Sequence, residues 1–143
     1  MKTLKNICNE KGEEIYMTRK EFQEFIAKGK MILDGATGSN LQKRGMPTGV
    51  CPEEWILEHP DVLVGLQREY IEAGSDVLYA PTFSGNRIKL EEYGLADQIG
   101  EMNRKLAGLS FEAIRQADTD RQVLVAGDIT MTGQQLYPVG NLP

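Results

Sequence analysis

The sequence predicts an α/β fold built on parallel strands. Three short, mainly apolar runs, Met31-Ile32-Leu33, Asp76-Val77-Leu78-Tyr79-Ala80 and Val123-Leu124-Val125-Ala126, are continuous rather than alternating in hydrophobicity. That is the pattern of a strand buried on both faces. Segments of helical periodicity separate the runs, and each run ends in a polar loop containing glycine. Strands alternating with helices imply parallel strands joined by right-handed crossovers.

The elements follow in order. Residues 1–17 read as a lead-in, poorly ordered or hairpin-like, with a turn at Glu10-Lys11-Gly12-Glu13. Thr18-Arg19-Lys20-Glu21 fits a capping box, with Thr18 as N-cap and Glu21 reaching back. Phe22, Phe25 and Ile26 then form an apolar stripe, and Gly29 is the expected stop. After the first strand, Ala36-Thr37-Gly38-Ser39-Asn40 reads as a small-residue loop. Residues 43–59, with Gly45, Pro47, Gly49 and Pro52, read as an extended loop with one helical turn at 53–57. Pro60-Asp61 opens a helix with Val62, Leu63, Leu66, Tyr70 and Ile71 on one face, and Gly74 ends it. Thr82-Phe83-Ser84-Gly85-Asn86 is a second polar loop. A long helix from about Asp97 to Ala117 carries Ile99, Met102, Leu106, Leu109, Ala113 and Ile114 at helical spacing, and Asp118-Thr119-Asp120 is the exit turn. Residues 130–143 hold Gly133, Pro138, Gly140 and Pro143 and no helical pattern, so the chain reads as a fold cut part-way. Three parallel strands leave an unpaired edge, which favours self-association.

Composition narrows the function classes. The 143 residues carry 16 Lys+Arg against 21 Asp+Glu, a net charge of −5. An acidic chain argues against nucleic-acid binding, which normally shows a basic face. No apolar run approaches the roughly 20 residues of a membrane helix, and the first residues have no apolar signal core. A cytoplasmic protein is expected. Cys8 and Cys51 form no Cys-x-x-Cys pair, and with the single His59 they match no known zinc spacing. Both thiols are expected reduced.

In parallel α/β folds the site lies at the carboxyl ends of the strands. That places Asp34, Thr82, Asn86 and Asp128 on one rim, although Asp34 and Asp128 also suit local turn capping. Gly35-Ala36-Thr37-Gly38-Ser39 has the small residues of a backbone anion nest, for a carboxylate or a phosphate. It fits neither the P-loop nor the dinucleotide-binding pattern. Trp55 reads as a lid over a ligand or as a satellite core residue. His59 reads as a loop residue at a helix start, and Cys51 as an unactivated thiol.

Ile32-Leu33-Asp34-Gly35-Ala36-Thr37-Gly38 resembles the first strand and loop of the homocysteine S-methyltransferase domain. Pro60-Asp61-Val62, the stretch from Tyr70 to Val77, Thr82-Phe83-Ser84-Gly85-Asn86-Arg87, and Gly127-Asp128-Ile129 through Thr132-Gly133 to Tyr137-Pro138-Val139-Gly140 resemble later family segments in order. The resemblance spans roughly residues 20–143. It implies a (β/α)8 barrel, of which residues 18–143 would supply three strands. It implies homocysteine as substrate, with its carboxylate on backbone N–H groups at Gly35 and Ala36 and its amino group facing Asp34. Thr82 and Phe83 would line the same pocket, which Asp128 joins by its place on the rim. The family's zinc, held by three cysteines of the later half including a Gly-Gly-Cys-Cys motif, has no counterpart in this sequence. Neither Cys8 nor Cys51 matches those positions. This chain alone is therefore expected to bind no cofactor and to transfer no methyl group, and zinc belongs to the complete domain. Pro81 stands where cobalamin-dependent members carry Asn, and Thr130-Met131 where Gly-Pro is usual. The methyl donor, a corrinoid or a folate among the candidates, stays open. A corrinoid protein or the remainder of the barrel are the implied partners. Two further readings remain: a non-catalytic half-barrel that self-associates, and an unrelated α/β enzyme that binds phosphate at residues 35–39.

Overall fold

The computed structural model describes residues 17–140 together with the backbone of two short strands, β1 (Ile7–Cys8) and β2 (Glu14–Ile15). These pair antiparallel, Ile7 opposite Ile15. The expected turn at residues 10–13 lies outside the described residues.

Helix α1 (Arg19–Ile26) starts as its sequence dictates. The Thr18 hydroxyl accepts the Glu21 N–H at 3.2 Å, and the Glu21 carboxylate accepts the Thr18 N–H at 2.6 Å. Its apolar stripe is only partly used. Phe25 packs beside Met17, Val77 and Leu124, whereas Phe22 and Ile26 stay exposed.

Strands β3 (Val77–Tyr79) and β4 (Leu124–Ala126) pair in parallel, with Leu78 opposite Val125. Leu33 joins Val77 by an isolated parallel bridge. The spatial order Leu33, β3, β4 is thus the order of the sequence. The expectation for Met31-Ile32-Leu33 needs correction. These residues form one bridge rather than a strand buried on both faces, and they are 37%, 54% and 42% exposed. Apolar runs report only local hydrophobicity. Burial on both faces needs a second covering layer and a neighbour on each edge, and among the described residues this run has a partner on one edge alone.

Helices α4 (Pro60–Glu72) and α6 (Ile99–Gln116) cover the face that Leu78 presents, while Phe25 of α1 meets Val77 and Leu124, which point the other way. Leu78, fully buried, meets Val64 and Ile71 of α4, Ala113 of α6, and Val123. Gly74, at φ +107°, ends α4 in the left-handed conformation that glycine adopts without a steric cost. A larger core joins α2 (Gly38–Lys43) and α3 (Pro52–Glu58) to α4 and α6 through Leu41, Trp55, Ile56, Leu63, Leu66 and Leu106.

Helices α2 and α3 correct the two loops expected at 36–40 and 43–59. Gly38, Ser39 and Asn40 are weak helix formers, but burial of Leu41 to 1% exposure rewards the turn. Helix α3 has Pro52 at its first position and Glu53 and Glu54 in its first turn, and it runs for about two turns rather than one. Between β3 and α6 lie a short α5 (Arg87–Glu91) and a 3-10 turn (Ala96–Gln98), neither foreseen.

Candidate functional site

Three chain segments leave the sheet at the same edge: Asp34 after the Leu33 bridge, Ala80-Pro81 after β3, and Gly127-Asp128 after β4. A cavity of about 350 Å³ opens there, with Gly35, Thr37, Glu53, Phe83, Ser84 and Asp128 in its wall. None of the residues lining it is Lys or Arg.

Asp34 is locked to the neighbouring strand. Its N–H donates to the Val77 carbonyl at 2.9 Å, and its Oδ2 accepts the Tyr79 N–H at 3.0 Å. Its Oδ1 is buried and has no hydrogen-bond partner among the described residues. Burial pushes the Asp34 carboxyl up from 3.8 to about 6. The Tyr79 amide opposes that shift, and the Asp128 carboxylate adds to it.

Tyr70 and Asn40 set the next two residues. The Tyr70 hydroxyl donates to the Ala36 carbonyl at 2.9 Å. Asn40 Nδ2 donates to the same carbonyl at 2.7 Å and to the Tyr70 oxygen at 2.9 Å. A Cβ on Gly35 would lie 2.8 Å from Tyr70 Cε1, so any larger residue forces the ring or the loop to move. The carbonyl of Ala36 is held by both donors, while the N–H groups of Gly35 and Ala36 have no acceptor among the described residues. Successive amides without a protein acceptor are the raw material of an anion nest.

Thr82 and Asp128 clasp each other through the backbone: the Thr82 hydroxyl donates to the Asp128 carbonyl at 2.8 Å and accepts the Asp128 N–H at 3.1 Å. Thr130 Oγ1 donates to the Phe83 carbonyl at 2.8 Å. Phe83 is half exposed and forms part of the cavity wall.

Of the residues expected at the site, Gly35, Phe83 and Asp128 line the cavity. Asp34, Ala36 and Thr82 are not in its wall and are joined by the bonds just described to Tyr79, Tyr70 and Asp128. Asn86 caps α5 by accepting the Lys89 N–H at 3.1 Å, while its Nδ2 lies 3.5 Å from the Met131 carbonyl in the segment that follows β4. Trp55 is a core residue rather than a lid, 8% exposed and stacked on His59 at 4.3 Å. His59 Nδ1 lies 2.9 Å from the Trp55 carbonyl at the junction of α3 and α4.

Glu53 was not foreseen, although it is 2% exposed in the cavity wall. An acid after a proline at a helix start normally reads as a solvated partner of the helix dipole, and no local pattern separates the two cases. Tyr70 was expected only as packing, since nothing in its spacing signals the work of its hydroxyl.

Among the described residues no group of three or more His, Cys, Asp or Glu is arranged to hold a metal ion. Cys51 is free and buried, and its burial pushes the thiol pKa up, away from the thiolate that a metal would need. The described residues therefore do not fit a zinc centre. No described helix is long and apolar enough to cross a membrane.

Residues 31–142 match the family described as homocysteine S-methyltransferase. The chain is 32% identical over 122 residues to betaine–homocysteine S-methyltransferase 1 of Bos taurus, covering 82% of this chain and 30% of that protein. It is 34% identical over 90 residues to methionine synthase of Mycobacterium leprae (strain TN), covering 57% of this chain and 7% of that one. Among solved structures, the metallated homocysteine methyltransferase MmuM of Escherichia coli superposes with a TM-score of 0.62 at 21% identity, over 76% of this chain and 40% of that chain. The chain thus spans less than half the length of each of these relatives.

Proposed function

The chain belongs to the homocysteine S-methyltransferase family, and on that premise we propose that it forms the part of such an enzyme that grips the amino-acid end of homocysteine. The observation that carries this reading is the run Asp34-Gly35-Ala36, where the half-satisfied Asp34 carboxylate and the unengaged Gly35 and Ala36 amides are consecutive and Gly35 lines the cavity. An amino acid offers a carboxylate to the amides and an ammonium to the Asp34 carboxylate. The absence of Lys and Arg from the cavity wall fits a ligand that brings its own positive charge.

In this proposal the parallel strands are successive staves of a (β/α)8 barrel. Their sequential order and the packing of α4 and α6 on one face support that. Methyl transfer to the homocysteine sulfur is assigned to no described residue. A corrinoid, a folate or a small methylated donor remains open, and a cytoplasmic setting belongs to the same proposal. Titrating L-homocysteine and inorganic phosphate separately tests the reading. Saturable homocysteine binding with no response to phosphate supports it, and the reverse assigns residues 35–39 to a phosphate-binding enzyme instead.

A second reading is favoured by one observation. Met31, Ile32 and Leu33 expose apolar side chains beside an edge that has no described partner, so two copies can pair there. Size-exclusion chromatography with light scattering decides: a dimer mass supports this reading, and a clean monomer removes it.

A further inference from the structure

Glu53 is a buried acid with no described cation beside it. It is 2% exposed, and no ion pair among the described residues includes it. Its Oε1 accepts the Ser84 N–H at 2.7 Å, from a position 31 residues away in the chain. Its Oε2 lies 3.7 Å from the Cys51 thiol, a weak donor. Glu53, Phe83 and Ser84 all line the cavity.

Burying a carboxylate is costly unless hydrogen bonds compensate it. The dipole of a helix start would reward an exposed acid here equally well, so capping alone does not account for the burial. The bond to Ser84 does. At 2.7 Å it is a short bond to a backbone N–H that would otherwise be left without a partner. It also ties the turn after β3 to α3, itself anchored in the core by Trp55 and Ile56. The same turn is held from elsewhere by Thr130 at Phe83 and by Asn103 Nδ2, which donates to the Gly85 carbonyl at 2.7 Å.

We propose that Glu53 is a positioning residue of the site, fixing the Phe83–Ser84 turn through the Ser84 amide and so setting the cavity wall against which the ligand rests. This rests on the amino-acid-binding reading above. Glu53 touches no reacting atom in it and acts through Phe83 and Ser84.

Two variants separate reach from charge. Glu53→Gln keeps an oxygen acceptor at the same length without the charge, whereas Glu53→Asp keeps the charge but withdraws it by one methylene. Each is examined by amide hydrogen exchange at Ser84 and by calorimetric titration with L-homocysteine. Glu53→Gln should leave both within about threefold of the unaltered chain. Glu53→Asp should speed Ser84 exchange and weaken homocysteine binding by about tenfold or more, the scale of one hydrogen bond to a charged group. Unaltered Ser84 exchange in Glu53→Asp overturns the proposal. So does homocysteine binding in Glu53→Gln as weak as in Glu53→Asp, since the charge itself would then matter. If Glu53→Asp does not fold, the unaltered chain decides. Ser84 exchange much slower than that of the Phe83 amide, which has no described acceptor, supports the role, and equal rates overturn it. A chain that fails to bind homocysteine at all refutes the functional reading instead, and the Ser84 rates still judge Glu53.

Discussion

Gly35 lies against the ring of Tyr70 so closely that a single added methyl carbon would come within 2.8 Å of it. The tyrosine also binds the Ala36 carbonyl through its hydroxyl. One side chain from α4 therefore shapes the loop by contact and orients it by hydrogen bonding. Position 35 needs glycine for the space it leaves rather than for an unusual backbone angle.

Gly35→Ala should accordingly destabilise the chain by about 1–3 kcal/mol through overpacking and weaken homocysteine binding further. Urea unfolding and calorimetric titration check the two effects. Tyr70→Phe, which keeps the ring and loses the bond to Ala36, should cost about 0.5–1.5 kcal/mol in stability.

Asp34 carries the pH dependence. Its carboxyl titrates near 6 in the folded chain against an ordinary value of 3.8, so the folded state holds the extra proton between those values. Stability from this group is greatest below about 4, falls as pH rises to about 6, and is flat above. Ligand binding runs the other way, because only the ionised carboxylate attracts an ammonium. Homocysteine affinity should rise as pH passes through about 6, and Asp34→Asn should abolish both slopes. Thermal melts from about pH 4 to 7 and titrations from about pH 5 to 8 follow them.

At the opposite end of the strands, Asp76 joins two segments. Its Oδ2 accepts the Ile32 N–H at 2.9 Å and its Oδ1 faces Arg121 at 3.3 Å. Arg121 also donates to the Ile71 carbonyl at the end of α4. Asp76→Ala should cost about 1–3 kcal/mol, as loss of a partner to backbone and charged donors does, while leaving homocysteine affinity unchanged. Denaturant unfolding with a parallel titration distinguishes this stabilising role from a part in the site.

Without a described ligand set for zinc, the chain by itself should hold no stoichiometric metal and transfer no methyl group. Elemental analysis finding one tightly bound zinc per chain would contradict this.

These elements differ in how far the sequence exposes them. The Thr18–Glu21 cap, the Pro60 and Gly74 ends of α4, and the strands at 77–79 and 124–126 follow from local chemistry. The common edge that collects Asp34, Phe83 and Asp128 follows from parallel topology. Helix α2 did not, because the burial of Leu41 overrides the weak propensities of Gly38, Ser39 and Asn40. The exposure of Ile32 and the burial of Glu53 were equally hidden, since each depends on what another segment places beside it. Asn86 shows the converse: a rim position with suitable chemistry that is spent on capping α5.

In the proposed site the Gly35 and Ala36 amides receive the carboxylate of homocysteine. An isotope-edited NMR titration that reads those two amides reports on it directly. L-Homocysteine should shift both in a saturable way, and an aminothiol of similar length without a carboxylate should leave them in place. Unmoved Gly35 and Ala36 amides at saturating homocysteine, or equal shifts with the carboxylate-free thiol, would contradict the claim.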